Sequence, residues 1–333
     1  MEVAFRNKDH VILKEMASTE PKVNQIHLRI DACGICGTDI HDNDTTAHRF
    51  GHEIAGEILS IGPGVTDLHI GQKVVLDSAT PCGRCFMCKN GRQELCTDIQ
   101  SFYYMDEFGF AEEMNAPAIS AIPYDGLDPA VATLQEPLGV AIDLCRLSDI
   151  TRDSNVLVIG QGPIGLMATA LVRMQGARRL YVSDFASKYA RKNFAESLDI
   201  DGFIDAETID LKDFCKSRAI DRILVTAPPP IIRTAIDIAT KGAIISYIGI
   251  GYGSSATLTF DANEFHFKKL QLRASFASPA MFGPLALSYL SEGRIQGEAL
   301  VSHRFPLIEI EKALSVASHN PDALKVVVTR SNT

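Results

Sequence analysis

The segment VLVIGQGPIGLMATALVRMQGA, residues 156–177, joins an apolar strand-like run to a helical pattern through a glycine-rich turn. The turn has the spacing G-x-G-x-x-G directly between strand and helix, a context that strengthens an otherwise weak pattern. Its first two glycines let the backbone turn and approach a pyrophosphate, and its third lets the helix pack closely on the strand. Free N–H groups at the helix start would bind the phosphates, although a structural helix start without ligand is the alternative. We predict a dinucleotide site with contacts at Gly160, Gly162, Pro163, Ile164 and Gly165.

A carboxylate follows the glycine-rich turn at the separation along the sequence that is typical of dinucleotide-binding sites. Asp184 stands nineteen residues after Gly165, at the end of the apolar run LYVS. A carboxylate there accepts hydrogen bonds from the ribose hydroxyls and repels a 2′-phosphate, which favours NAD over NADP. Phe185 follows it, where an arginine would favour NADP. Lys188 and Arg191 leave NADP open as an alternative, and their helical spacing also suits a solvated face; we count Lys188 among the cofactor contacts.

Around this turn, apolar strand-like runs alternate with helical periodicity from about residue 136 to 276. Such alternation is typical of a parallel sheet with helices on both faces. Six runs would complete a doubly wound Rossmann sheet. We place them at residues 155–159, 180–183, 202–204, 222–226, 243–248 and 270–276. The predicted fold class is therefore α/β.

The rest of the chain has a different texture. Residues 3–131 are rich in glycine and in short alternating runs, which predicts mainly irregular β structure. After Pro279, a helix at about 284–292 and a strand-like run at 325–329 close the chain. A chain of 333 residues is long for one core. We predict a mainly β catalytic domain of residues 1–135 and 280–333, and a nucleotide-binding domain of residues 136–279.

Composition excludes several classes of partner. A net charge of -9 gives nucleic acid no electrostatic reason to bind. The uncharged stretches 154–172 and 242–260 are interrupted by glycines, which predicts strand, turn and helix rather than membrane spans. The first fifteen residues are charged throughout and contain no apolar region of the secretory type. We expect a cytoplasmic enzyme with a small-molecule substrate.

Four cysteines form a compact pattern in PCGRCFMCKNGRQELC, residues 81–96. Their spacing of two, two and seven intervening residues lets four thiolates surround one tetrahedral Zn²⁺ and leave no open position. We predict a structural zinc lobe near residues 81–97, held by Cys82, Cys85, Cys88 and Cys96. Two disulfides, unrelated thiols or an iron–sulfur cluster are the alternatives. Cys33, Cys145 and Cys215 are expected to be buried packing residues.

A second constellation lies upstream of this lobe. CGTDIH covers residues 36–41, and GHEIAGEILSIGPGV begins at Gly51. A thiolate, an imidazole and a carboxylate thus occur within a short span, bracketed by glycines. Taken singly, each of these side chains is more often a packing or surface residue than a metal ligand.

Four motifs in one order carry a resemblance to a known family. They are GICGTDIH from Gly34, GHE-x2-G-x5-G from Gly51, the four-cysteine lobe and the glycine-rich turn. The chain resembles the zinc-containing medium-chain alcohol and polyol dehydrogenases over nearly its whole length, and sorbitol dehydrogenase-like members most. That resemblance implies a GroES-like catalytic domain beside the Rossmann domain, two zinc ions per chain, NAD, and an alcohol dehydrogenase activity of the type EC 1.1.1.-.

The same resemblance assigns the ligands of a catalytic zinc. It implies Cys36 and His52 as ligands and Glu53 as a ligand or a carboxylate behind them. Glu136, in LQEPLGV, stands where other alcohol dehydrogenases have a cysteine; a carboxylate at a helix start before Pro137 is the alternative. Zn²⁺ at an open site lowers the pKa of a bound water from about 16 to about 7, on the order of 12 kcal/mol. An alcohol gives up hydride readily as an alkoxide, so this effect would be catalytic.

The released proton needs a path to solvent. By resemblance, Thr38 would be the first relay beside the reacting oxygen, and His41 would pass the proton outward; a solvated surface imidazole is the alternative for His41. Asp39 is expected to orient the local backbone.

The substrate is less well specified. LVSHRFPL, from Leu300, is similar to the C-terminal part of sorbitol dehydrogenase-like proteins, but residues 276–278 lack the arginine that helps such enzymes hold the polyol. Arg49 lies near His52 and is interpreted as solvated, or as a contact for an anionic substrate. A polyol or sugar-like secondary alcohol leads, with an amino alcohol such as threonine, or a non-catalytic relative, as alternatives. Relatives are dimers or tetramers, and we expect a tetramer.

Overall fold

The computed structural model describes residues 1–8, 10–41 and 44–330. It divides into two compact units, Met1–Gly139 with Ala277–Thr333, and Val140–Phe276. These limits lie within a few residues of the predicted domain boundaries. Each unit is described below by itself.

The strands are β1 Glu2–Arg6, β2 Val11–Glu15, β3 Gln25–Gly34, β4 His48–Arg49, β5 Glu53–Ile61, β6 Lys73–Leu76, β7 Glu113–Pro117, β8 Ala121–Pro123, β9 Asn155–Ile159, β10 Arg179–Asp184, β11 Gly202–Asp205, β12 Arg222–Val225, β13 Ile244–Tyr247, β14 Gln271–Ala274, β15 Val301–Pro306 and β16 Lys325–Thr329.

The α-helices are α1 Gly37–Ile40, α2 Phe86–Lys89, α3 Pro129–Ala132, α4 Gln135–Leu147, α5 Pro163–Met174, α6 Tyr189–Ser197, α7 Leu211–Cys215, α8 Ile231–Ile238, α9 Ala262–Phe267, α10 Gly283–Ser291, α11 Gly297–Leu300 and α12 Ile310–His319. Short 3₁₀ helices cover Gln93–Leu95, Phe102–Met105, Ala118–Ser120, Gly253–Ala256 and Leu307–Glu309. None of the helices in the described part of the chain is long and apolar enough to cross a bilayer.

The first unit is built on two sheets. A small antiparallel sheet has the order β2-β1-β4, and a seven-stranded sheet has the order β15-β16-β3-β5-β6-β8 with β7 pairing β3. Alternate side chains of the central strands point into a common core and are fully buried, among them Ile26, Leu28, Ile54, Ile58 and Leu76. Strands β15 and β16, from the C-terminal part of the chain, therefore belong to the same sheet as β3 and β5 from the N-terminal part.

Strand register in this sheet places the candidate site. In the antiparallel pair β3–β5, Gly34 is opposite Glu53. In the pair β16–β3, Val327 is opposite the same Gly34. The end of β3, the start of β5 and the middle of β16 therefore meet at one point, two residues before Cys36 and directly after His52.

The second unit is a six-stranded parallel sheet with the order β11-β10-β9-β12-β13-β14. Counted from β9, this is the order 3-2-1-4-5-6 of a Rossmann sheet. All six predicted runs form strands, with ends shifted by two residues or fewer. The predicted α/β class is confirmed. Near-continuous apolar runs such as NVLVI in β9 suit strands that are covered on both faces.

Candidate metal and nucleotide sites

The four lobe cysteines converge on one point. The Sγ atoms of Cys82, Cys85, Cys88 and Cys96 all lie within 4.8 Å of one another. The structure has these cysteines as free thiols, and not as the two disulfides that were an alternative. Four sulfur donors around one centre are the donor set of a closed structural Zn²⁺ site.

Backbone N–H groups point at these sulfurs. Cys82 N donates to Cys96 Sγ at 3.3 Å, and Cys85 N donates to Cys82 Sγ at 3.3 Å. Hydrogen bonds from the backbone of Cys88 and Thr97 lower the pKa of the Cys85 thiol to about 6. Burial raises the pKa of the Cys88 thiol to about 12, so four thiolates at one point need a cation to compensate them. Four converging sulfurs with backbone donors around them fit such a cation.

A second group of three donors lies at the meeting point of β3, β5 and β16. Ligand atoms of Cys36, His52 and Glu53 lie within 4.8 Å of one another. Cys36 is the residue before α1, and Glu53 is the first residue of β5. A sulfur, a nitrogen and a carboxylate oxygen are all accepted zinc ligands, and three of them leave room for a fourth.

Glu53 is held from behind by a lysine that sequence reasoning missed. Lys325 Nζ donates to Glu53 Oε1 at 2.5 Å and to the carbonyl oxygen of Ile35 at 2.8 Å, and both charged side chains are buried. Glu53 Oε2 forms an ion pair with the same Nζ but has no hydrogen-bond partner among the described residues. The Lys325 ammonium therefore compensates the charge of this carboxylate and holds it in place.

A glycine leaves the room that this carboxylate occupies. A Cβ atom on Gly34 would lie 2.0 Å from Glu53 Oε2 and 3.0 Å from Lys325 Cε. Any side chain at this position would therefore push the carboxylate out of its place.

Asp39 has a second role that the sequence did not indicate. Its Oδ2 accepts a hydrogen bond from Cys36 N at 2.8 Å, as expected of a residue that orients the backbone. Its Oδ1 also lies 4.0 Å from His52 Nδ1. Burial by itself lowers the pKa of His52, but the negative charges of Cys36 and Asp39 raise that pKa well above its ordinary value. The negative potential around the imidazole that attracts a proton would equally attract a metal ion.

Glu136 lies near this group without belonging to the three that converge. It sits in the first turn of α4. Burial raises the pKa of Glu136 to about 7, with His52 opposing the rise and Glu53 adding to it. Glu136 is thus close enough to feel the charges of the site, and its role as a ligand stays a prediction.

The two predicted proton relays are both accessible. Thr38 lies in α1 and is exposed, and His41 directly follows that helix and is exposed as well. Their side chains are therefore free to contact solvent and small molecules, and their catalytic roles stay predictions.

The interpretation of Arg49 was wrong in both of its forms. Arg49 is neither solvated nor open to a substrate, because it is only 9% exposed. Its Nη1 donates to the carbonyl of Asp106 at 2.6 Å and to Glu107 at 3.2 Å, and its guanidinium lies over Phe5. It is a buried structural residue of the first unit.

In the second unit, the glycine-rich turn has the conformation that the sequence required. Gly160 has φ of +94°, which side chains with a Cβ rarely adopt. Gly162 precedes α5, whose first two residues are Pro163 and Ile164. A Cβ on Gly165 would lie 2.0 Å from the carbonyl oxygen of Gly160, so the helix packs directly on the turn.

Asp184 ends β10 and faces this turn. Its Oδ2 accepts from Gln161 N at 3.1 Å and its Oδ1 accepts from Phe185 N at 2.9 Å. Arg191 Nη1 lies 3.8 Å from Oδ2. Lys188 is half-buried immediately before α6. The carboxylate is therefore held in place beside the turn, while the contacts of Lys188 with a cofactor stay a prediction.

Comparison with known families agrees with both units. Residues 22–125 match the alcohol dehydrogenase GroES-like domain, and residues 163–291 match the zinc-binding dehydrogenase domain. The predicted GroES-like architecture of the first unit is thereby confirmed.

Individual relatives match nearly the whole chain. L-galactonate-5-dehydrogenase of Escherichia coli (strain K12) is 30% identical over 332 residues, which covers 96% of both chains. D-arabinitol dehydrogenase 1 of Uromyces fabae is 28% identical, covering 92% of this chain and 90% of its own. The crystal structure of a short chain alcohol dehydrogenase from Escherichia coli CFT073, complexed with NADH, superposes with a TM-score of 0.87 at 24% identity over 99% of both chains.

Proposed function

We propose that this chain, which belongs to the zinc-containing medium-chain alcohol and polyol dehydrogenase family, oxidises a secondary hydroxyl of a polyol or sugar acid with NAD. Its class as an oxidoreductase acting on alcohols follows from that family. The observation that carries the proposal is the convergence of Cys36, His52 and Glu53 at one partly buried point. The names of the relatives, an L-galactonate and a D-arabinitol dehydrogenase, support a polyhydroxylated substrate.

Cys36, His52 and Glu53 would hold the catalytic zinc, with the nearby carboxylate of Glu136 as a fourth candidate ligand. When bound there, Zn²⁺ supplies a Lewis acid that makes an alcohol easier to deprotonate. Lys325 holds Glu53 by its Oε1, and Asp39 lies beside His52. The ligands are therefore oriented by charged neighbours before any metal arrives, as is usual for catalytic metal sites. The four cysteines of the lobe would hold the structural zinc.

Oxidation releases a hydride to NAD and a proton to solvent. Thr38 would accept the proton from the substrate hydroxyl and His41 would pass it outward. Thr38 lies in the short helix that follows Cys36 and His41 ends it, and both are exposed and so open to solvent.

The cofactor assignment rests on the second unit. Asp184 presents a fixed carboxylate beside the glycine-rich turn, where a 2′-phosphate would meet negative charge. The NADH bound by the structural relative belongs to the same cofactor class. We assign NAD.

The test is a substrate panel with metal analysis. NADH absorbance is followed with D-arabinitol, D-sorbitol, L-galactonate and L-threonine, and zinc is counted by plasma mass spectrometry. We expect two zinc ions per chain and turnover of a polyol or sugar acid. A Thr38→Val variant should keep both zinc ions and lose most of its kcat, about 100-fold or more, because proton transfer by a positioned group contributes about that much.

Other results would contradict the proposal. Turnover of L-threonine alone would point to an amino-alcohol dehydrogenase. One zinc ion per chain without turnover of any alcohol would favour a non-catalytic relative.

Two further assignments belong to the proposal. We place the enzyme in the cytoplasm and expect a homo-oligomer, a tetramer by resemblance. Light scattering of the purified protein tests the tetramer.

A further inference from the structure

A tyrosine stands beside the candidate metal site without a role in the proposed chemistry. Tyr103 lies in the 3₁₀ helix Phe102–Met105, just after the cysteine lobe. Its ring makes an edge contact with the ring of His52, with centroids 6.4 Å apart and planes at 70°. Of its surface, 38% remains exposed, so part of the side chain is open to solvent and small molecules.

The backbone of this short helix is firmly held. Ser101 Oγ accepts a hydrogen bond from Tyr103 N at 3.1 Å. The same hydroxyl donates to the carbonyl oxygen of Ser78 at 2.6 Å. Ser101 thereby caps the helix and ties it to the segment that follows β6.

The ring itself is fixed by two aromatic neighbours. Phe102 contacts it with centroids 4.9 Å apart, and Phe108 contacts it with centroids 5.3 Å apart. Phe102 is fully buried. Tyr103 therefore has little freedom to swing away from His52.

Charges of the site act on the phenol. Burial raises the pKa of Tyr103 above its ordinary value; His52 lowers it, and Glu136 and Asp39 raise it again. A phenol carries its proton at neutral pH in any case, so its O–H can donate a hydrogen bond.

Packing alone does not account for the hydroxyl group. A phenylalanine would make the same contacts with Phe102, Phe108 and His52, without a polar group to desolvate. The phenol O–H is a neutral hydrogen-bond donor near His52, Glu136 and Asp39. Such a donor can bind a polar ligand that enters the site. In a dehydrogenase for polyhydroxylated substrates, such a ligand is the hydroxyl next to the one that reacts.

We propose that Tyr103 binds a second hydroxyl group of the substrate and thereby selects polyols and sugar acids over simple alcohols. This inference rests on the proposed function. The rings of Tyr103 and His52 are in edge contact, so the phenol lies beside a ligand of the proposed zinc, where the reacting hydroxyl would bind. A site built to hydrogen-bond a substrate hydroxyl discriminates against an analogue that lacks it.

The experiment compares Tyr103→Phe with Tyr104→Phe. Tyr104 is the adjacent residue, is 73% exposed and provides the matched control. For each variant, kcat/KM with NAD is measured for the best polyol or sugar acid of the panel and for 2-butanol. We expect Tyr103→Phe to lower kcat/KM for the polyol about tenfold, the effect of one lost neutral hydrogen bond, and to leave 2-butanol within about twofold. Tyr104→Phe should change neither.

Each other outcome overturns the inference in a recognisable way. An equal loss with the polyol and with 2-butanol would show that the hydroxyl supports the site as a whole. No loss with either would show that it makes no substrate contact. A wild-type enzyme that oxidises 2-butanol but none of the polyhydroxylated compounds would overturn both the proposed substrate class and this role of Tyr103. Normal polyol turnover by Tyr103→Phe would overturn only this role of Tyr103.

Discussion

At the scale of single residues, the position of Glu53 depends on the absence of a side chain opposite it. Gly34 is paired with Glu53 across β3 and β5. The carboxylate fills the space where a Cβ on Gly34 would stand, 2.0 Å from Oε2. Both partners are buried strand residues, so neither has room to move aside without a cost in packing.

Gly34→Ala should therefore empty the catalytic metal site and spare the structural one. The added methyl displaces the Glu53 carboxylate, which removes one of the three converging donors. We expect one zinc ion per chain instead of two, measured by plasma mass spectrometry on the purified protein.

Gly37→Ala is the matched control for this change. Gly37 lies three residues further on, and no atom lies within 4 Å of an added Cβ. This variant should keep two zinc ions. A Gly34→Ala protein with two zinc ions and unchanged kcat/KM would show that zinc binding and activity do not depend on the position of the Glu53 carboxylate in the structure.

At the scale of elements, the turn between β9 and α5 uses its glycines for different purposes. Gly165 is needed for packing, since its added Cβ would lie 2.0 Å from the carbonyl oxygen of Gly160. Gly162 is not needed for packing: no atom lies within 4 Å of its added Cβ, and its φ of -64° suits any residue. The space beside Gly162 is therefore available to a ligand.

Substitution by alanine should separate these two purposes. Gly165→Ala should lower the melting temperature by several degrees, because helix and turn must move apart. Gly162→Ala should leave the melting temperature within about one degree and raise the Kd for NAD at least tenfold, because its methyl blocks the close approach of the pyrophosphate. Differential scanning fluorimetry and calorimetric titration with NAD measure both quantities.

The element-scale interpretation would be wrong if the two variants exchanged their effects. A Gly162→Ala protein that binds NAD with wild-type affinity would show that the pyrophosphate of NAD does not bind at this turn.

At the scale of the whole molecule, the candidate site joins segments from opposite ends of the chain. Lys325 and Glu53 are 272 residues apart in sequence and form a buried ion pair. Burial lowers the pKa of Lys325, but Glu53 and Cys36 outweigh it and raise that pKa above its ordinary value, so the ammonium keeps its charge. A buried pair of this kind is expensive to break, because removal of one partner leaves the other charge uncompensated.

Lys325→Met should destabilise the first unit by about 3–5 kcal/mol, the usual effect of breaking a buried ion pair. The measurement is urea unfolding of the zinc-loaded protein followed by circular dichroism. Lys312→Met is the control, because Lys312 is exposed and pairs with Glu309 at 2.8 Å; it should change the free energy of unfolding by less than about 0.5 kcal/mol. Equal effects of the two substitutions on the free energy of unfolding would mean that another group compensates the buried charge of Glu53 when Lys325 is absent.

Much of the fold could be predicted because its signals are local. The six strands of the parallel sheet follow from apolar runs and intervening helical periodicity. The cysteine lobe follows from spacing, since cysteines with two residues between them can converge on one ion. Cys36 and His52, by contrast, could be proposed as partners only by resemblance. Fifteen residues lie between them, and the register of β3 and β5 brings them together.

The residues that were misinterpreted or missed are those whose contacts are long-range. Arg49 was expected to be solvated or to contact substrate, yet its neighbours Glu107 and Phe5 come from distant segments that bury it. Tyr103 gave no signal, because an aromatic residue after a cysteine lobe has no spacing that relates it to His52. In each case the decisive contact joins residues whose separation along the chain carries no periodic pattern.

The amino-acid sequence by itself determined the α/β class, the nucleotide turn and the four-thiol lobe, because backbone periodicity and short spacings act over a few residues. The tertiary structure alone decided that Lys325 supports Glu53, that Asp39 faces His52, that Tyr103 borders the site and that Arg49 is buried. These contacts depend on strand register and on burial, and both arise only when distant segments pack into one core.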